Sequence, residues 1–362
     1  MELQREPRVA TAAAPLLARL GELRKVRLTS FLSRQQAALE AGTWLVCILA
    51  AIFAAFLIRR FAIFVDYASL LVALAVLGFL LAVYVVYGRW RASPRLSNLC
   101  GALAAMTWSA AMAGISSLVG LRYHARLIDV ELAEWDQAVR LDVQTVIAWA
   151  ADHPFWSSLL AFSYDSSFSL LLALTVLLAF MRRFDQLWVL VFVFAATIVV
   201  STSISVVWPA KGAFAFYDYP VSLLERLPHG AGIYHLQKFD YFRNGASPVV
   251  SFASLQGVVT FPSFHCCLAL MTIFGTWGLR WLFPISLSWN ALVIISTVPI
   301  GGHYAIDLPA GALLWLFATV AGVALAKFHP PTPCGSPDSG TVKDNFKAYG
   351  GRSRAAIQAS AR

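Results

Sequence analysis

Two short stretches concentrate the groups able to do acid–base or nucleophilic chemistry: FPSFHCC (Phe261 to Cys267) and GGHYAIDLPAG (Gly301 to Gly311). In the second, His303 and Asp307 are four residues apart, a spacing that on a helix puts both side chains on one side, within hydrogen-bonding reach. A carboxylate held against one imidazole nitrogen sets the tautomer and leaves the other nitrogen as a nucleophile. A second histidine across the site, His265, can then protonate a leaving oxygen. Either histidine alone could be a packing residue of a membrane helix. Their joint presence, one with an i+4 carboxylate and each flanked by Gly or Pro, favours a site. A zinc centre from His265, Cys266, Cys267 and His303 is disfavoured, because adjacent cysteines on a helix point about 100° apart and cannot face one metal. No metal and no cofactor are expected.

The elements that must position these groups are membrane spans. The chain has 362 residues, 59% hydrophobic and 13% charged, with a mean hydropathy of +0.68, which excludes an ordinary soluble protein. A spanning helix needs roughly 20 apolar residues. Suitable runs lie near 41–58, 67–87, 96–121, 155–181, 187–209, 258–279, 281–302 and 308–326, so eight spans are expected in an all-α, polytopic membrane protein. His265 and His303 are separated by 38 residues, one helix inward and one back, and belong at the same membrane face. The first 40 residues hold no apolar stretch, so no cleavable signal peptide is expected and the first span acts as the insertion signal. The five cysteines show no spacing of a disulfide framework.

Charge supplies the orientation. With both termini on one side, 19 of the 28 Lys and Arg fall there and 9 on the other; acids number 7 against 11, so the faces carry +12 and −2. The positive-inside rule then makes both termini cytoplasmic and puts the histidines on the outer face. The formal charge of +9 is therefore topology, and a nucleic-acid partner is not expected.

Two outer segments are longer than connections require. Residues 126–153 place Leu132, Trp135, Val139, Val143, Val146 and Ala150 at helical spacing, with Glu131, Glu134, Asp136 and Arg140 off that face, which predicts an amphipathic helix on the membrane surface. Residues 210–257 form a loop carrying Lys211, Asp218, Arg226, His229, His235, Lys238, Asp240 and Arg243; loops this long are often functional. The Pro-, Gly- and Ser-rich stretch from His329 is expected to be disordered. Trp135, Trp149, Trp156 and Trp208 fit an interfacial belt. Asp165, inside the fourth span, either lines the substrate path or bonds to neighbouring Ser and Tyr hydroxyls.

The pair PSxH and HxxxD, separated by one hairpin, resembles the second and third signature motifs of the type 2 phosphatidic acid phosphatase superfamily. FPSFH and GGHYAIDLPAG are similar to the branch containing aureobasidin-sensitive inositol phosphorylceramide synthases, as are DVELAEWDQAVRLD and WPAKGAF upstream. The resemblance covers about residues 96–326. It implies a six-helix phosphatase-type core at 96–326, preceded by a basic cytoplasmic tail at 1–40 and two additional transmembrane helices at 41–95, and followed by a cytoplasmic tail at 327–362. It also implies that His303 forms a phosphohistidine, Asp307 orients it, His265 protonates the departing group, and Ser263 with nearby amides binds phosphoryl oxygens.

The superfamily's phosphate-binding arginines are missing. Ser296 and Thr297 stand where its third motif has Ser-Arg, and Asp218 lies seven residues after Lys211, where its first motif has Arg. Phe264 replaces the usual glycine of the second motif. Lys211, closing the fifth span, is the best replacement cation, with Arg243 next; Arg122, Arg126 and Arg140 are assigned to lipid phosphates. The expected activity is a metal-independent lipid phosphatase or phosphotransferase acting on a phospholipid, sphingolipid or polyprenyl phosphate at the outer face of a cell membrane. The alternatives are an inositol phosphorylceramide synthase-like headgroup transferase and a non-catalytic scaffold or lipid-handling protein of the same fold.

Overall fold

The computed structural model describes residues 34–327. The N-terminal part is α1 (Arg34–Phe61), strand β1 (Phe64–Val65), α2 (Tyr67–Arg89) and α3 (Pro94–Gly120). There follow α4 (Asp129–Ala138), α5 (Val143–Asp152), α6 (Pro154–Phe180) and α7 (Phe184–Val207). A long connection holds the short helices α8 (Ala213–Tyr217), α9 (Val221–Leu224) and α10 (Leu236–Asn244) and strand β2 (Val249–Val250). The chain then continues through α11 (Phe264–Gly275), α12 (Leu282–Ser296) and α13 (Asp307–Lys327). The expected disordered stretch from His329 and most of the expected N-terminal tail lie outside the described residues, but α1 already begins at Arg34, seven residues before the expected first span.

Six helices, α1, α2, α3, α6, α7 and α13, are long and apolar enough to cross a bilayer. Helices are the structure such sequences must adopt there, since no water is present to satisfy free backbone groups. The count of eight spans is not reached by length. The runs at 258–279 and 281–302 form α11 and α12, of 12 and 15 residues, or about 18 and 22 Å against the roughly 30 Å of hydrocarbon. Pro262 and the Ser263 N-cap start α11 late, and the turns at 297–302 end α12 early. The residues so withdrawn include Phe261 to Ser263 of the first motif, while His265 lies in the first turn of α11.

The central core gathers Met106 of α3, Leu171 and Leu178 of α6, Trp188 and Phe194 of α7, Cys267 and Met271 of α11, and Ala318 of α13. Leu39 and Cys47 of α1 belong to the same core, so the first helix is integral to the bundle. α2 is peripheral, with Ser69 its only buried residue. Asn98 ties these layers together, accepting 2.7 Å from Trp188 Nε1.

The expected single amphipathic helix at 126–153 is broken in two. After α4 the chain turns through Arg140, at φ +59°, and Asp142 caps α5 by accepting from the amides of Gln144 and Thr145. Of the expected membrane-surface face, Leu132, Val143 and Ala150 are buried against the protein, while Trp135, Val139 and Val146 are exposed. Asp136, expected on the polar outside, is buried with Asp129, Leu132 and Ala133. These spacings of three, four and seven make one face, turned toward a second apolar cluster that includes Ile147, Tyr164, Phe214 and Tyr304. At the far side β1 pairs in parallel with β2, Phe64 opposite Val249. Ser251 Oγ donates to Asp66 (3.2 Å) and Phe252 N to Ser69 Oγ (3.0 Å), pinning the long connection to the first hairpin.

Candidate functional site

His303 and Asp307 meet, but not along a helix. The chain is irregular from Gly302 to Tyr304, and α13 starts only at Asp307. Asp307 Oδ2 accepts from His303 Nδ1 at 3.0 Å and from the Tyr304 amide at 3.0 Å, so the contact spans the turn that caps α13. His303 is 3% and Asp307 0% exposed, so water does not compete for the bond. With Nδ1 donating, the His303 Nε2 carries the lone pair. Ser263 Oγ lies 3.5 Å from Nε2 and also takes the Cys266 amide as the N-cap of α11, placing both hydroxyl and helix N-terminus beside the histidine. An anion there meets the positive end of a helix dipole. The His265 ring lies 6.5 Å from that of His303 and stacks on Tyr164 at 3.9 Å; the Tyr164 hydroxyl is in turn 2.9 Å from that of Tyr234.

Two carboxylates that the sequence reading placed elsewhere or passed over hold this geometry. Asp129 Oδ2 accepts from the Lys211 amide (3.0 Å), and Oδ1 from the Gly212 amide (2.9 Å) and the Tyr304 hydroxyl (3.0 Å). Asp136 accepts from the amides of Ala305 (2.9 Å) and Ile306 (2.8 Å). Both therefore hold the segment that follows His303, and Asp129 also ties it to the loop after α7. Burial pushes the Asp136 carboxyl above its ordinary range, against the pull of those two amides, and burial with the charge of Asp129 raises the Tyr304 hydroxyl. Their signal in the sequence was the seven-residue spacing of two acids on the stripe of Leu132.

His235 was noted only as part of the loop. It is 6% exposed, and its Nε2 donates 2.8 Å to the Lys211 carbonyl. Burial, with His303 nearby, holds its imidazole below the usual value. The backbones converge as closely: Gly302, at φ +79°, leaves 2.8 Å between the place of a Cβ and the Gly232 carbonyl, while the Gly232 amide donates 2.7 Å to Ile300 O. Only glycine accommodates this approach.

The side chains of the expected cations point elsewhere. Lys211 Nζ pairs with Asp240 at 3.0 Å, and Arg243 donates 2.9 Å to the Ala125 carbonyl; both lie over the Phe239 ring. Arg122, assigned to lipid phosphate, donates instead to the Gly245 carbonyl at 2.8 Å, and Arg126 pairs with Glu131. Trp135, Trp149, Trp156 and Trp208 are exposed. A cavity of about 500 Å³ has His265, His303 and His235 in its wall, together with apolar residues of α3, α7 and α11. A second, of about 330 Å³, adjoins it at His265, Tyr234, Phe168 and Gln256, and includes Asp165. Neither wall contains Lys or Arg.

The arrangement presents a buried imidazole lone pair, a carboxylate fixing its tautomer, a facing imidazole and an amide-rich helix start. That set suits attack on a phosphoryl centre followed by protonation of its leaving group. Comparison with known families finds the sequence pattern of the PAP2 superfamily over residues 130–321. No curated protein and no solved structure matches.

Proposed function

The chain belongs to the PAP2 superfamily, and from that premise we propose that it is a membrane lipid phosphatase or phosphotransferase working through a phosphohistidine. His303 Nε2 attacks phosphorus, Asp307 stabilises the imidazolium that forms, and His265 gives its proton to the departing oxygen. The Ser263 hydroxyl and the first amides of α11 receive phosphoryl oxygens; Lys211 and Arg243 would reach them only by leaving Asp240 and the Ala125 carbonyl. The observation that carries the reading is the 3.0 Å bond from His303 Nδ1 to a fully buried Asp307, opposite a second histidine. Phosphoryl transfer asks of a protein mainly positioning and electrostatic stabilisation, and this set does not require a metal.

In this reading α11 and α12 complete the passage of the chain as a short hairpin, giving eight crossings with both termini cytoplasmic and the site at the outer face of a cell membrane. Acceptor water makes the enzyme a phosphatase; an acceptor alcohol makes it a headgroup transferase of the inositol phosphorylceramide synthase kind. The cavity wall, without Lys or Arg among the described residues, favours a phosphodiester substrate with either acceptor, since a phosphodiester carries less charge than a monoester. A non-catalytic scaffold would have no use for the aligned histidine pair. Purified protein supplied with ³²P-labelled lipid is expected to give an acid-labile, alkali-stable phosphohistidine, lost in His303→Ala, with turnover insensitive to chelators. Activity that survives His303→Ala overturns the assignment.

A further inference from the structure

The two cavities that meet at His265 differ in chemistry. The larger contains His303 and is walled by Ala110, Ala113, Ile198 and Leu268, apolar surface suited to lipid chains. The smaller contains His265 but not His303, and brings together Asp165, Tyr164, Phe168, His229 and Tyr234. Asp165 is 15 residues from the end of α6, about 22 Å, the same reach as the 15-residue α12, which starts at the same end of the bundle and leads to His303. It is exposed to this chamber and has no hydrogen bond or ion pair among the described residues, so the expected bond to Ser or Tyr hydroxyls is not made.

Resting on the phosphohistidine reading, we infer that the Asp165 chamber receives the ammonium-bearing headgroup of a zwitterionic phospholipid, and that the bond broken is the one joining phosphorus to that headgroup's oxygen. In an in-line displacement the entering nitrogen and the leaving oxygen lie on opposite sides of phosphorus. With His303 entering, the leaving oxygen lies on the His265 side, at the mouth of the smaller chamber. The one formal charge in either wall is the Asp165 carboxylate. Beside the faces of Tyr164, Phe168 and Tyr234 it matches an ammonium group, for which carboxylate and aromatic π-faces are the natural partners. A dianionic monoester would be repelled by that carboxylate, and an uncharged polyol headgroup would gain no charge pairing from it.

The step balances. The P–N bond to His303 Nε2 forms as the P–O bond to the headgroup breaks, and His265 transfers its proton to that oxygen, releasing the amino alcohol. An acceptor hydroxyl then attacks phosphorus, returns its proton to His265 and frees His303.

The test uses purified full-length protein in separate vesicle preparations of ³²P-labelled phosphatidylethanolamine, phosphatidylinositol and phosphatidic acid. Label trapped on His303 and released headgroup are both measured. The expected result is label from phosphatidylethanolamine at a rate about 10-fold or more above the other lipids, with free ethanolamine released. Asp165→Asn should cut that preference by about 10-fold, and Asp165→Glu should restore part of it. Equal labelling from the three lipids, an unchanged preference in Asp165→Asn, or release of phosphoethanolamine in place of ethanolamine each overturns the headgroup assignment while leaving the phosphohistidine intact. The wild-type comparison decides even if the variants fail to fold. No label from any lipid overturns the underlying reading, and this assignment with it.

Discussion

Replacing Asp129 with asparagine tests whether a surface-helix carboxylate is what holds the loop that carries His303. In the native fold it accepts three hydrogen bonds at 2.9–3.0 Å, two from amides of the loop after α7 and one from Tyr304, beside His303. A carboxamide keeps one acceptor oxygen and turns a donor toward the remaining donors, so at least one buried N–H or O–H loses its partner. An unpaired buried donor costs about 1–3 kcal/mol, and the bonds that remain lose the strength that an ionised acceptor gives them. Asp129→Asn is therefore expected to cost about 2–4 kcal/mol, and Tyr304→Phe, which deletes one charge-assisted bond, about 1–2 kcal/mol. If the hydroxyl acts through Asp129, the double variant costs less than the sum by about 1–2 kcal/mol. Unfolding free energies of the four proteins, measured in detergent under one condition, supply the cycle. Additivity to within about 0.5 kcal/mol would refute the argument, because it would mean that Tyr304 and Asp129 stabilise the loop independently.

Other substitutions probe the same site from different sides. Asp307→Asn keeps an acceptor oxygen for His303 Nδ1 and the Tyr304 amide, which share one carboxylate oxygen, but removes the negative charge that stabilises the imidazolium; the rate of lipid-dependent phosphohistidine formation should fall by about 10²-fold or more, with a loss of less than ten-fold counting against the role. Gly302→Ala places a Cβ 2.8 Å from the Gly232 carbonyl at φ +79°. With backbone on both sides nothing can yield, so a loss of about 2 kcal/mol or more is expected in thermal unfolding, and a neutral result would show the two loops to be separable. His235 binds a proton less readily folded than unfolded; its contribution is complete above an unfolded value of about 6.5 and is lost as pH falls below it. Wild-type stability should thus fall more steeply than that of His235→Gln between pH 7 and 5, and parallel profiles would exclude this histidine as the cause.

Five of the six long helices could be read from the sequence to within three residues, because a run of about 20 apolar side chains in a bilayer has one backbone solution, the helix. The pairing of His303 with Asp307 was equally legible, although the spacing was right for the wrong reason: the contact is made across a helix-capping turn. The short α11 and α12 were not, since hydropathy continues through residues that the site withdraws from the helices. The surface helix misled further. Its periodicity put Asp136 off the apolar face, toward solvent, whereas the buried stripe carries Asp129 and Asp136. A pattern based on apolarity alone cannot recognise a carboxylate that is buried because loop amides distant in sequence come to meet it. Local composition determined where helices form and which residues hold reactive groups. Which cation stays outside the cavity, which acid clamps the loop and which acid faces a second chamber were decided only by packing, as where bonds between residues more than eighty positions apart fix the carboxylate of Asp129.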